Sequence, residues 1–361
     1  MKTRWIDTGR VNHLRSQCTY HGLGYAHKET SLNTIVLAIP ENPYMCIGHF
    51  QDPSKELNIN YCKNNNLPVI RRETGGGAVY IDDKQLFIQW IFKPDSFPQK
   101  IEKKFQLFIE PIVETYRFFG IDAYAYGGHD VHVNGKKIVG TGAARIGNAE
   151  VITGNFITEF DSSHMVGALN LPGLVMQSEV SRGMKVYMSS MAEELNEVPN
   201  FEIIKTVYKK KCQELHGMEF LDDDFTKEEL FHIDKQDEKL SSDSWTFSIK
   251  QPKSDCRLIK IHRGVYVGHY HFNAKGKEVE ITMRLNENII EFIHIDMESN
   301  DWKIKIEETL LGIDLTSENL MEKLKSIFTN NKLTKSEISE EEWFESLMVI
   351  KNEKRKISGG T

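Results

Sequence analysis

From residue 34 onward the chain is cut into short apolar runs whose order does not follow a regular βαβ alternation. "NTIVLAIP" and "YMCIGHF" are partly β-branched and broken by Pro and Asn, the composition of two strands. "SKELNINYCKNNN" has helical spacing, and "LPVIRR" reads as a further strand. "GGAVYID" and "LFIQWIFKP" are expected to pair with each other as an antiparallel hairpin across "DDKQ". Between residues 99 and 119, Phe105, Phe108, Ile109, Ile112, Val113 and Tyr116 recur on one helical face, and Gly120 follows as a C-cap. "EVITGNFITEFD" is another strand. The expected class is therefore mixed α/β of the α+β kind, and a doubly wound parallel sheet is set aside.

The segment from about 196 to 242 is expected to be helical and highly charged, with Thr226 and Glu229 at capping-box spacing. Asp222, Asp223 and Asp224 read as a solvated loop, because three adjacent carboxylates do not converge on one ion without partners. After Trp245, "RLIKIHRGV", "YVGHYHFN", "EVEITMRL" and "IIEFIHIDM" are four strands, and "TSENLMEKLKSIF" is a helix. A last amphipathic helix carries Trp343, Phe344, Leu347 and Met348. The division expected is a first domain over 1–240, a smaller α/β domain over 241–330, and a charged C-terminal helix and tail over 331–361.

With 361 residues the chain can bury more than one core, and its net charge of −7 argues against a general nucleic-acid binder. Its five cysteines are scattered, odd in number and never spaced CxxC, which fits neither a disulfide framework nor a structural zinc site. That usage suggests a reducing compartment. With no apolar signal segment at the N-terminus and no membrane-length run, the expected location is the cytoplasm, with no membrane partner.

The chemistry is expected in two places. In "RRETGGGAVYID", three glycines follow Arg71 and Arg72. A glycine-rich loop can expose backbone N–H groups to an anion, with flanking arginines adding charge. The alternative is a bulged strand entrance with surface arginines, and three glycines alone leave that alternative ahead. Neither GxxxxGK(S/T) nor GxGxxG is present. In "NGKKIVGTGAARI", a hairpin turning at Asn134-Gly135 would place Lys137 beside Gly140, Thr141 and Gly142, with Lys136 in solvent. An ammonium there suits an α-phosphate and a neighbouring carbonyl. Just upstream, Asp130 could hold Mg²⁺ or orient a ribose or purine. His129 and His132 would point to opposite faces of a strand, while His269 and His271 share a face but lack a third ligand, so zinc is not expected at either pair.

In order and approximate spacing, "IGHFQDPSKELN", "LPVIRRETGGGAVYID", "GGHDVHVNGKKIVGTGAARI" and "VITGNFI" resemble the lipoate–protein ligase A family. The resemblance covers about residues 35–215, and the small domain from about 244 resembles, more loosely, that family's accessory C-terminal domain. It implies a biotin/lipoate-ligase-like catalytic domain that converts lipoate and ATP, with Mg²⁺, to lipoyl-AMP and pyrophosphate. The lipoyl group would then pass to a lysine of a lipoyl carrier domain, such as a glycine cleavage H protein or a dehydrogenase E2. By position, Arg72, Gly75, Gly76, Gly77, Ala78 and Val79 would line the lipoyl-adenylate site, and Tyr80 would lead on towards an apolar slot. Lys137 would contact the phosphate and acyl carbonyl as the catalytic residue. Asp130 matches the acid of the family's Arg-Asn-Asp motif, and Gly140, Thr141 and Gly142 fall in its nucleotide-binding turn. The chain departs from the family at Gly128-His129-Asp130, at Ile81, and at Thr153-Gly154-Asn155, where His-Gly-Thr is common. Two competitors remain: an octanoyl or lipoyl acyltransferase of the same fold, which would need a nucleophilic cysteine, and a non-catalytic binder of lipoyl carriers.

Overall fold

The computed structural model describes residues 1–252, 254–298, 300–329 and 338–358, so the tail expected over 331–361 falls partly outside the described residues. Two compact units emerge. Met1–Asn170 joins Met188–Gln251 in the first, and Leu171–Tyr187 joins the chain from Pro252 onward in the second.

The first unit is built on a six-stranded sheet in the order Thr141–Ile146, Ala149–Ile157, Gln85–Phe92, Asn33–Pro40, Lys2–Val11, Glu219–Asp222. The first four strands are antiparallel neighbours, while Lys2–Val11 lies parallel to both of its neighbours. The sheet is thus mixed, as the irregular order of elements implied. Helices Ile101–Phe118 and Phe201–His216 bring Phe108, Ile112, Tyr116 and Tyr208 into one core with Trp90 and Phe92 of the sheet. Helix His13–Ala26 supplies Tyr20 and Leu23 to a second core with Val36, Ile91 and Val151. Two three-stranded sheets complete the unit. One has the order Val69–Arg71, Tyr44–Ile47, Val79–Ile81; the other has Tyr124–Tyr126, Asp130–Val133, Lys136–Val139.

Three expectations need correction. The hairpin between "GGAVYID" and "LFIQWIFKP" does not form: Val79–Ile81 pairs with Tyr44–Ile47, and Gln85–Phe92 pairs with Asn33–Pro40 and Ala149–Ile157. All eight residues of Gln85–Phe92 are buried, and a central strand has both of its edges taken. The acidic run is not simply a loop either, since Glu219–Asp222 is an edge strand beside Lys2–Trp5. Asp222 meets Lys209 and Asp223 meets Arg4, while Asp223 and Asp224 follow the strand as the exposed loop expected. Finally, "SKELNINYCKNNN" is two short helices, Pro53–Glu56 and Ile59–Asn64, capped by the side chains of Asp52 and Asn58.

The second unit is a four-stranded antiparallel meander, Cys256–His262, Val265–Ala274, Lys277–Asn286 and Ile289–Asp296. Trp302, Leu320, Leu324, Trp343, Leu347 and Ile350, from three C-terminal helices, share its core. Helix Gly173–Tyr187 packs on the same sheet, and its buried Glu179 meets the Arg284 guanidinium at 2.5 Å.

Candidate active site

The glycine loop is fixed from behind by donors that do not face solvent. Arg71 is fully buried, and its guanidinium donates to the carbonyls of His49 at 2.6 Å and Thr246 at 2.7 Å. In return the Trp245 indole N–H donates to the Arg71 carbonyl at 2.9 Å. His21 is buried as well, and burial pushes its imidazole down to about 4, so it is neutral at neutral pH. Its Nε2 accepts the Glu73 N–H at 3.0 Å, which leaves the ring proton on Nδ1, 2.7 Å from the Gln17 carbonyl. The Glu73 carboxylate is gripped by Lys239 at 2.5 Å and by the Tyr25 hydroxyl at 2.9 Å.

Arg72 lies half-buried against the glycine loop itself. It donates to the carbonyls of Gly75 at 2.8 Å, Gly77 at 2.8 Å and Cys46 at 3.1 Å, so the guanidinium staples the loop from inside. A staple of this kind turns loop carbonyls towards the arginine. The glycines themselves divide by role. Gly76 has φ +95°, in the left-handed region, and its carbonyl would lie 2.1 Å from any Cβ placed on Gly48. Gly75 and Gly77 face open space, with nothing within 4 Å of where a Cβ would stand. Ala78 is half-buried, Val79 is exposed, and Tyr80 is buried with its ring stacked on His164 at 5.6 Å. Gly48 has no counterpart among the residues singled out from the sequence. Its only signal was a glycine at the end of an apolar strand.

The second cluster takes the expected hairpin form. Asn134 and Gly135 have φ +51° and +79°, as a two-residue turn of this hand requires, and Lys136–Val139 returns along Asp130–Val133. Lys137 Nζ lies 2.8 Å from Asp130 Oδ1, with the lysine side chain 19% exposed and the aspartate 3%. Burial pushes the Asp130 carboxyl up, but the Lys137 ammonium, helped by His129 and His132, outweighs this and holds it below the usual carboxylate range. Lys136 pairs with Glu193 near the surface. Lys137 engages Asp130 Oδ1, and among the described residues no group of three or more His, Cys, Asp or Glu could hold a metal ion by protein side chains alone. The Thr141 hydroxyl donates to the His129 carbonyl at 2.6 Å.

The two clusters meet. A Cβ on Gly142 would stand 3.5 Å from Thr74 Oγ1, which places the nucleotide-turn candidate against the glycine loop. Gly140 N–H donates to Asn155 Oδ1 at 3.2 Å. All five cysteines are buried, and no free thiol lies at an exposed position. Burial raises the thiols of Cys18, Cys46 and Cys212 and brings Cys62 to about 11. Among the described residues no helix is long and apolar enough to cross a membrane.

A glycine loop abutting a lysine hairpin on a mixed sheet is what the sequence resemblance implied, and the model of the lipoyl protein ligase A/B catalytic domain matches residues 22–213. The chain belongs to that family. Relatives of the chain include both lipoate ligases and octanoyltransferases. Lipoate–protein ligase 1 of Staphylococcus aureus is 28% identical over 200 residues, covering 54% of this chain and 59% of that protein. Lipoate-protein ligase LplJ of Bacillus subtilis is 27% identical over 197 residues, 54% of this chain and 57% of its own length. The match therefore spans a little under three fifths of either relative. Octanoyltransferase LipM of Bacillus subtilis is 21% identical over 271 residues, covering 68% of this chain and 97% of that protein. Among solved structures, the bi-partite lipoate protein ligase of Thermoplasma acidophilum, studied with its E2 lipoyl domain, superposes with a TM-score of 0.63. Its identity is 20%, and the match covers 70% of this chain and 99% of that one. A lipoate-protein ligase A bound with ATP gives 0.60 at 20% identity, covering 69% of this chain and 100% of that one. These structural likenesses establish the mixed α/β fold.

Proposed function

We propose that the chain is an ATP-dependent lipoate–protein ligase. A lipoate carboxylate oxygen attacks the α-phosphorus of ATP, the bond to the β-phosphate oxygen breaks, and pyrophosphate leaves. The amine of a carrier lysine then attacks the acyl carbon of lipoyl-AMP, AMP departs, and an amide forms with loss of a proton. Lys137 offsets charge that develops first at phosphorus and then at the acyl carbonyl oxygen. Asp130 keeps the ammonium oriented, Gly75 and Gly77 leave room for the adenylate, and Val79 and Tyr80 continue the wall for the acyl chain. Gly140, Thr141 and Gly142 border the nucleotide. The carrier is a lipoyl domain of the kind that accompanies the Thermoplasma ligase, and the reading places the reaction in the cytoplasm.

The observation that carries ligase over transferase is the state of the cysteines. A thioester route needs an accessible thiolate, and all five thiols are buried, Cys212 in the core beside Tyr208. The test is pyrophosphate release from Mg-ATP by the purified protein, with and without lipoate, together with the intact mass of a lipoyl carrier domain. Lipoate-dependent release with one lipoyl group added to the carrier is the expected result. Acyl transfer without ATP, through a thioester on a cysteine, would replace the proposal with the transferase. Carrier binding with neither reaction would make the protein a binder.

A further inference from the structure

Two buried amide side chains run between the halves of the site and have no role in the chemistry above. Gln85 Nε2 donates to the Tyr80 carbonyl at 3.2 Å, Asn155 Nδ2 donates to Gln85 Oε1 at 2.7 Å, and Asn155 Oδ1 accepts from Gly140 N–H at 3.2 Å. Gln85 is 3% exposed and Asn155 9%. The sheet register explains why they meet: Asn155 stands opposite Phe87, which puts Gln85 on the neighbouring diagonal of the same face. Leu86, Phe87 and Ile88, the next three residues on that strand, are all buried and apolar. Amides are poor strand residues, and one left unpaired in such a place costs about 1–3 kcal/mol. Here both are paired: Gln85 ends on the Tyr80 carbonyl, three residues past the glycines, with a longer bond to Asp82 Oδ1 at 3.5 Å, and Asn155 ends on Gly140, at the start of the nucleotide turn.

We propose that Gln85 and Asn155 are positioning residues that couple the acyl-chain wall to the nucleotide turn, so that filling one side sets the backbone of the other. The inference rests on the ligase reading above. A displacement of Val79–Ile81 by an acyl chain alters the bond at the Tyr80 carbonyl. Gln85 shares its amide plane between that carbonyl and Asn155, and Asn155 in turn fixes the direction of the Gly140 N–H. By linkage the effect is reciprocal: lipoate tightens nucleotide binding by the same factor as nucleotide tightens lipoate binding. A threonine hydroxyl at position 155 would be too short to span from the Gly140 N–H to Gln85 Oε1 as the Asn155 amide does.

The experiment measures the Kd of α,β-methylene ATP, which cannot be adenylated, with and without saturating lipoate by calorimetry. In the wild-type protein lipoate should tighten it by a factor in the range of about 5–150 typical of coupled sites. Asn155→Thr suits a strand, and Gln85→Met roughly conserves volume. In each the factor should fall to within about twofold of one, and in the double variant it should fall no further, because either change cuts the same relay. Variants that fold and keep the wild-type factor overturn the proposal. So does a wild-type protein that binds both ligands independently and still releases pyrophosphate with lipoate, an outcome that leaves the ligase reading intact. A wild-type protein that releases no pyrophosphate overturns the ligase reading instead. Should both variants fail to fold, hydrogen exchange at the Gly140 amide in the wild type decides: lipoate alone should slow it, and an unchanged rate overturns the coupling.

Discussion

Arg71 and Lys137 are both cations at one candidate site, but they are held in different ways. Arg71 is fully enclosed and spends its donors on backbone carbonyls from two distant segments, 48–49 and 245–246. Lys137 keeps part of its side chain open to solvent and leans on the Asp130 carboxylate. The first arrangement fixes a loop, since the carbonyls of His49 and Thr246 would lose a close donor if it moved. The second keeps a charge available, since an ion pair with one open side can be exchanged for a ligand anion. Of the two adjacent arginines, Arg71 is enclosed as an anchor, while Arg72 is half-buried and holds the Gly75 and Gly77 carbonyls of the loop it was expected to line.

That contrast can be broken at several points. Lys137→Ala should lower the rate of lipoate-dependent pyrophosphate release about 10²–10³-fold, the effect of losing one donor to a developing oxyanion, with a secondary loss of thermal stability because the buried Asp130 carboxylate is left unpaired. Near-wild-type single-turnover rates would remove Lys137 from the chemistry. Arg71→Met should do the reverse. It should cost about 3 kcal/mol in urea unfolding, from buried carbonyls left without donors, before any effect on binding is considered.

Asp130→Asn should come next, with about a tenfold fall in rate and the fold retained, because the ammonium loses its orienting charge but not its place in the hairpin. The same variant carries a pH signature. Because Lys137 holds the folded Asp130 carboxyl below its unfolded value, the pair's contribution to stability is full above about pH 4 and is lost as the pH falls through the lower folded value. Asparagine at 130 should flatten that part of the acid-unfolding profile, and an unchanged profile would mean the pair contributes nothing to folding. The smallest effect is expected at Cys212→Ser. Pyrophosphate release and carrier modification should stay within about twofold of wild type, and the core should lose roughly 1 kcal/mol for a hydroxyl in place of a thiol. A large loss of acyl transfer there would point back to a thioester.

Much of this was legible in the chain. The Asn134-Gly135 turn, the Thr226–Glu229 capping box and the left-handed Gly217 cap follow local rules, and each is present. Helix His13–Ala26 was not legible. It buries Ser16, Gln17, Thr19 and His21 along with Tyr20 and Leu23, so it has no apolar stripe to betray it. Its polar side chains are satisfied by partners far along the chain, such as the Tyr44 hydroxyl and the Glu73 N–H.

The sequence by itself determined which residues could do chemistry. Lysine beside glycines, an aspartate seven residues earlier and a run of three glycines are chemical facts about the chain, and the resemblance of the motifs that carry them to the lipoate–protein ligase A family is what implied an acyl-adenylate site. What only the tertiary structure decided is which of those groups remain available. Strand pairing placed Val79–Ile81 against Tyr44–Ile47 rather than its sequence neighbour, and packing turned Arg71 inward and closed every thiol away from solvent. The physical reason is that a side chain's chemistry is local, whereas its hydrogen-bond partners and its contact with water depend on segments brought together from far along the chain.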